Sequence, residues 1–581
     1  MSEARLKRTI SSALWAAYAD ALGFPTELAS DKTIQQRLGH TRVTRTEPWK
    51  RVVGGRFGAR VSLPAGAYSD DTQLRLATSR GISGHGYFDV EAFAKIELPV
   101  WQSYALGAGR GSKAAASALC NRGNNWFSNF FPAYESGGGN GAAMRIQPHV
   151  WAAVDLGDKA SYLTDVIRNS LCTHGHMRGI AGAVAHASSL AYAFEKEEAP
   201  SPEAWLGFAK DIRSIPKMII GDADLATFWV PMWEQKSGQK LDSAVEEVAR
   251  EWERSVHNAS GIINASARQD AALVYSQIVK SENGLSREER GSGLKCALFA
   301  NVAAFLGRRF GSQEIIEVVA NLLDSDTDTI GTMAGALIGA ANPEARYLGA
   351  VQDEEYIRAE AERLYYVSQG RKALSFKYPD MLYWQPPRAM IDLLSSNNNS
   401  YYLQGIGEAL PVGNPYFGSQ KNTAWQWFKS AIGQSFLVRF RAGTSSVATT
   451  AGLHVDTVDM FNQSNESDQF AEALEQTQSP DVSSTLTNKT SLKLGAVKKL
   501  AANIDQGIDL AEEEIERIGV QVSSIDLDDL TSEAIKSFDP QLIGQHLLLL
   551  AEQPNAISLS IAYSSIVVKA RSARLKHKSR R

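Results

Sequence analysis

"DSDTDTIGTMAGALIGA", residues 324–340, sets three aspartates at alternate positions against a run of Gly, Ala, Thr and Ile that carries no charge. The run after Asp328 has helical composition and places Gly331, Gly335 and Gly339 at spacing four. Glycine costs a helix roughly 1 kcal/mol against alanine. A row of glycines on one face therefore implies that another helix comes very close there. The charged start raises a second question. A helix N-cap needs one side-chain oxygen, but Asp324, Asp326, Thr327, Asp328 and Thr329 all offer one.

A second stretch repeats the arrangement. "AGAYSDDTQLRLATSRGI" (65–82) puts Ser69, Asp70, Asp71 and Thr72 before a plausible helix. Each stretch alone reads as a cap, because hydroxyls and carboxylates suit the positive end of a helix. Two over-supplied junctions suggest more. If they meet in space, their like charges require a shared proton or a cation. Carboxylate and hydroxyl oxygens without His or Cys suit a hard cation such as Mg²⁺ or Mn²⁺. Two such clusters suit a two-metal site that activates a water.

Three further segments carry candidate chemistry. In "SGGGNGAAMRIQPHV" (136–150), Gly137, Gly138, Gly139, Asn140 and Gly141 let backbone amides approach a ligand. The run matches neither the Rossmann fingerprint nor the P-loop. In "LCTHGHMRGIAGAVAHA" (171–187), His174 and His176 precede a small-residue helix without partners at zinc spacing. Each reads as a pocket hydrogen-bonding group or a helix-start residue. Glu27, in "ADALGFPTEL" (19–28), is a further candidate acid, although an acid in such a turn is ordinarily solvated.

The bulk numbers set limits. A chain of 581 residues exceeds one ordinary domain, and 44% hydrophobic residues can bury a sizeable core. A net charge of −4 gives no global attraction to nucleic acid or membrane, and leaves a local patch open. Cys120, Cys172 and Cys296 are far apart and form no metal spacing, so a disulfide framework is not expected. There is no apolar core of a signal peptide and no run long enough to span a bilayer. A cytoplasmic protein is the expectation.

Residues 1–365 read as mostly helical, with helices predicted at 90–106, 241–258, 296–310 and 314–323 and a kink at Pro99. Residues 366–440 are rich in aromatics and proline and read as an extension or subdomain. Residues 441–488 are rich in Ser, Thr, Asn and Gln and read as a linker. Residues 489–581 read as a helical C-terminal region with a basic tail, "KARSARLKHKSRR". That tail offers a contact for nucleic acid, but a solvated end is the favoured reading. "LIGQHLLLLAEQ" (542–553) reads as helix core and offers an oligomer seam.

Together the motifs resemble the ADP-ribosylglycohydrolase family. "ALWAAYADALGFPTEL" resembles its opening helix and acidic turn, and "LPAGAYSDDTQ" its metal motif. "GNGAAMRIQP", "THGHMRGIAGA" and "DTDTIGTMAGALIGA" resemble the motifs that follow, in the same order. The resemblance covers residues 1–365. It implies an all-α fold, a compact orthogonal helical domain, here followed by the polar linker and mostly helical end. It implies two Mg²⁺ ions, with Mn²⁺ as the alternative, and hydrolysis of the bond between ADP-ribose and an acceptor on a macromolecule. By motif matching the ligands are Ser69, Asp70, Asp71, Asp326, Asp328 and Thr329. The resemblance further implies that Glu27 sits near the metals as a mobile ligand or catalytic acid/base, with Asp70 and Asp328 as the other catalytic acids, and that Gly137 to Gly141 with His174 hold the ADP-ribose. Ser69 stands where the family has Thr and keeps the hydroxyl. The competing expectation is a non-catalytic nucleotide sensor or scaffold whose C-terminal region binds a partner.

Overall fold

The computed structural model describes residues 2–441, apart from 267–268, 388, 398–399 and 420–421, and residues 527–578, apart from 554–555. The expected linker 441–488 and the expected helical stretch 489–526 lie outside the described residues, save for residue 441 itself. The chain divides into two compact units, Met1–Leu453 and His454–Arg581.

Helix dominates the first unit, as expected. Its spine is a pair of helices, α1 (Ser2–Gly23) and, much later in the chain, a helix over Thr327–Ala341. The glycine row of the later helix explains their closeness. A Cβ on Gly331 would lie 2.8 Å from the Ala19 carbonyl oxygen, and one on Gly335 or Gly339 would collide with the Trp15 or Ser11 carbonyl. Positions 11, 15 and 19 thus form the i+4 ridge that seats in an i+4 groove lined by glycine. Polar groups finish the seam. Ser12 Oγ donates to the Ala336 carbonyl at 2.8 Å, and Arg8 donates to the Ala340 carbonyl at 2.7 Å.

After α1 come a short helix α2 (Asp31–Leu38) and an antiparallel hairpin of β1 (Trp49–Val53) and β2 (Ala59–Leu63). Helix α3 (Asp70–Gly81) follows and is buried along its whole length. Among the helices that follow are two core helices, α4 (Met177–Lys196) and α5 (Gly293–Phe310), and later the spine helix α6 (Thr327–Ala341) and α7 (Glu354–Ser368). The helix predicted at 90–106 runs from Val90 to Trp101, with a π-turn at Phe93–Glu97 directly before Pro99. A π-turn relieves the missing amide of a helical proline.

The aromatic-rich segment contains a five-stranded antiparallel sheet, in order β3 (Leu394–Asn397), β4 (Ser400–Leu403), β5 (Gly407–Phe417), β6 (Thr423–Ser430) and β7 (Ser435–Arg441). It packs onto the hairpin in one apolar cluster that joins Trp49, Val61 and Leu63 to Trp425, Trp427 and Leu437. The Trp427 indole donates to the Ser62 carbonyl at 3.1 Å.

The second unit holds α8 (Leu527–Ser537), α9 (Pro540–Ala551) and α10 (Ala556–Lys578) around Ala534, Phe538, Leu550, Tyr563 and Val567. Among the described residues no helix is long and apolar enough to cross a membrane.

Candidate metal centre

The two acidic junctions meet. They are the N-termini of α3 and α6, and the Thr329 hydroxyl donates to Asp71 Oδ2 at 3.4 Å across them. The capping roles fall elsewhere, which frees the acids. Ser69 is the N-cap of α3, and its hydroxyl accepts from the Asp71 amide at 3.2 Å. Asp20, on α1, takes the rest. Its carboxylate accepts from the amides of Ser69 and Thr72 at 2.9 Å each, and from the Thr72 hydroxyl at 2.6 Å. At α6 the N-cap residue Asp326 makes no capping bond. Its Oδ2 accepts instead from the Asn140 side-chain amide at 2.9 Å.

The remaining positions lie close around this seam. Asp70 is wrapped by the 105–109 loop: the Ala108 amide bonds to it, and a Cβ on Gly107 would strike its Oδ1. Ala108 itself is held at φ +107°, a strained value for a residue with a Cβ. Asp324 is exposed at φ +69° and stands outside the cluster. Glu27 is half-buried in the turn after α1. That turn is clamped to α6, because the Thr327 hydroxyl donates to the Gly23 carbonyl at 2.9 Å.

The electrostatics follow from burial. Desolvation, reinforced by Asp326, pushes the Glu27 carboxyl up to about 7. Desolvation, with Glu27 and Asp20 adding repulsion, pushes Asp70 to about 8. Asp71 and Asp328 are held well above the usual carboxylate range, first by burial and then by their acidic neighbours. Arg75 lies in the field of Asp20 and Asp71, and its own guanidinium is lowered to about 10 by burial. Arg37 and Arg51 act on Glu27 as well, and the acids still outnumber these guanidiniums.

These residues fit a hard cation. Every donor is oxygen, and buried Asp71 Oδ1 has no hydrogen-bond partner. Such an orphaned carboxylate oxygen is costly unless a cation meets it. The acids are gathered but not closed. Among the described residues no three His, Cys, Asp or Glu side chains form a ready-made cage.

The glycine run and His174 form an adjoining wall. Arg145 holds this wall through the Gly141 carbonyl (2.6 Å), Asn169 Oδ1 (2.7 Å) and the Thr173 hydroxyl (2.8 Å). Thr173 in turn bonds His174 Nδ1 at 2.7 Å. Burial, with Arg145 alongside, lowers His174 to about 3, so its ring is neutral. A Cβ on Gly141 would come within 2.9 Å of Ser112 Oγ and 3.1 Å of the His174 ring. His176 is the helix-start residue, accepting from the Arg178 amide at 3.1 Å as the N-cap of α4. Sequence reasoning missed Asp20, Arg145 and the 105–109 loop. The one available signal for Asp20 was an acid in the apolar C-terminal half of α1.

The chain has matches among known proteins. The family model described as ADP-ribosylglycohydrolase matches residues 1–373. A curated relative, the ADP-ribosyl-[dinitrogen reductase] glycohydrolase of Rhodospirillum rubrum, is 28% identical over 170 residues, which is 29% of this chain and 52% of the relative. The chain therefore spans about half the length of that curated relative. A solved structure titled ADP-ribosylglycohydrolase-related protein complex aligns with a TM-score of 0.38 at 21% identity, covering 63% of this chain and 99% of that one.

Proposed function

We propose a function that starts from the family: the chain belongs to the ADP-ribosylglycohydrolases, whose family model matches residues 1–373. The protein hydrolyses the bond between the ribose anomeric carbon of ADP-ribose and an acceptor atom on a macromolecule. The bond to the acceptor breaks, a water oxygen bonds to the carbon, and a water proton ends on the acceptor. The observation that carries this reading is the Thr329–Asp71 contact, which joins two helix N-termini dense in buried, uncapped carboxylates.

The ion-holding residues are Ser69, Asp70, Asp71, Asp326, Asp328 and Thr329. Two Mg²⁺ ions, or Mn²⁺, would neutralise these acids and lower the pKa of the attacking water. The protein's own side chains do the rest. Glu27 is the accessible edge of the cluster, and a carboxyl near 7 can both give and take a proton at neutral pH. Asp70 and Asp328 favour the positive charge that develops on the sugar. Asn140 is aimed by its bond to Asp326, and the neutral His174 presents a hydrogen-bonding ring behind Gly139 and Gly141.

The test is direct. The protein is incubated with ADP-ribosylated arginine, serine and nucleic acid, with and without EDTA. Release of ADP-ribose that EDTA abolishes and Mg²⁺ restores is the expected result. No metal-dependent release from any of them at high enzyme would overturn the reading.

A further inference from the structure

Outside the metal centre, charge is distributed unevenly. Residues 31–63 hold eight lysines and arginines against two acids, in a chain whose net charge is −4. Elsewhere many surface cations are paired, as in Arg168–Asp222 and Arg213–Glu246. None of the eight forms an ion pair among the described residues; the one bridge in this segment joins His40 to Glu47. Like charges on one short segment repel each other, and folding alone gives no reason to keep the fully exposed ones, such as Arg42, Arg45, Lys50 and Arg60.

The segment's geometry leaves several of them exposed and puts two on one face. On the hairpin, Lys50 pairs with Ser62 and Val52 with Arg60, so Lys50 and Arg60 share the solvent face. Arg42 and Arg45 are exposed on the connection from α2. Two further cations, on the other face of β1 and on α2, approach the acidic cluster. Arg51 stacks on Phe24 at 4.6 Å, and its buried Nη1 has no hydrogen-bond partner. Arg37 stacks on Trp49 at 5.4 Å and donates to the Pro25 carbonyl at 2.6 Å. Both guanidiniums act on Glu27.

Exposed aromatics accompany the cations. Phe57 at the hairpin tip is 60% exposed, and Phe417 at the end of β5 is 64% exposed. Their backbones are neighbours, since a Cβ on Gly418 would meet the Phe57 carbonyl. Exposed cations on a hairpin whose tip carries exposed rings match a single strand of nucleic acid, with phosphates on the cations and bases stacked on the rings.

We infer that the surface formed by α2 and the β1–β2 hairpin docks a single-stranded nucleic acid, and that this strand is the acceptor whose ADP-ribosyl group enters beside Glu27. The inference rests on the proposed hydrolysis for its second half only. The docking half is tested without catalysis.

The experiment measures fluorescence anisotropy of a labelled 20-nucleotide single-stranded DNA with the full chain, across a salt series. Saturable binding that weakens steeply with salt is expected. Lys50→Glu/Arg60→Glu should weaken it at least tenfold and flatten the log–log salt slope by about 1 to 2, with an unchanged thermal midpoint. Arg42→Glu/Arg45→Glu repeats the test should the first pair fold poorly. No binding at low salt, or binding that both pairs leave intact, overturns the inference. So does equal competition by polyglutamate or by duplex DNA of the same length. The acceptor half is read separately: ADP-ribose release from an ADP-ribosylated strand should fall in parallel with binding. Release that stays level while binding falls overturns that half.

Discussion

The two ends of α3 are equally buried and solve the problem of buried charge in opposite ways. At the C-terminal end, Arg80 meets Glu97 through two hydrogen bonds of 2.7 and 2.8 Å. Gln434 and Tyr378 complete the set at 2.6 and 2.8 Å. Nearby, burial opposes the charge of Glu360, yet Arg363 and Ser79 hold its carboxyl below the ordinary range. At the N-terminal end, Asp70 and Asp71 face other acids and are pushed up. One end is neutral within itself, and at the other the acids outnumber the guanidiniums that act on them. A buried acid without its counter-charge marks a site, and the same acid with one marks scaffolding.

That contrast can be broken most severely at α6. Asp328→Asn should cut kcat/KM for ADP-ribose release by on the order of a hundred- to a thousandfold, while the thermal midpoint in EDTA stays level or rises. A midpoint that falls sharply would mean that Asp328 is scaffolding after all. At the other end, Arg80→Met leaves Glu97 buried and alone, and should cost about 3–5 kcal/mol in urea unfolding. Adding Glu97→Leu should recover most of that loss. A small cost for the single substitution would erase the distinction.

The pH dependence sharpens the comparison further. Glu27 and Asp70 titrate at about 7 and about 8 in the fold, against roughly 4 when unfolded. Between about pH 4 and 8 the folded chain therefore binds more protons than the unfolded one. Its stability in EDTA is full at low pH and is lost as pH rises through 7 and 8. The midpoint should drop by roughly several degrees from pH 5 to pH 8.5, and Mg²⁺ should restore it at pH 8.5 more than at pH 5. A flat profile would show acids neutralised internally, as at the Arg80 end. The smallest effect tests what holds the acidic end in place. Tyr68, next to Ser69, donates to Asp353 at 2.9 Å, and Asp353 also accepts from the Ser435 amide of β7 at 2.7 Å. Tyr68→Phe should cost about 1 kcal/mol in urea unfolding. No change would show that the sheet does not brace the site.

Much of this was legible in the chain. The alternate aspartates, the glycine row at spacing four and the "YSDDT" junction each state a local requirement, and local requirements survive in sequence. The hairpin had a signal that went unread, the Gly54–Gly55 pair, at φ +81° and +76°, between alternating residues. The sheet was harder to read. Its prolines and mixed aromatics blur a period of two, and its strands are defined by pairing with each other. Least legible were partners set by tertiary distance. Nothing near Arg80 announces Gln434, 354 residues away. Nothing marks Asp20 as the acceptor for the first amides of α3, two helices later.

The glycine seam between α1 and α6 also has a consequence in time. Gly23 and Thr327, which bond across it, are 304 residues apart. At ribosomal rates of about 5–20 residues per second, α1 waits roughly 15–60 s for its partner. Through that interval its buried face of Ala13, Trp15, Ala16 and Tyr18 has no cover from α6. A helix synthesised long before its partner is sealed late, and slow translation or a missing chaperone would be felt there before the two acidic junctions meet.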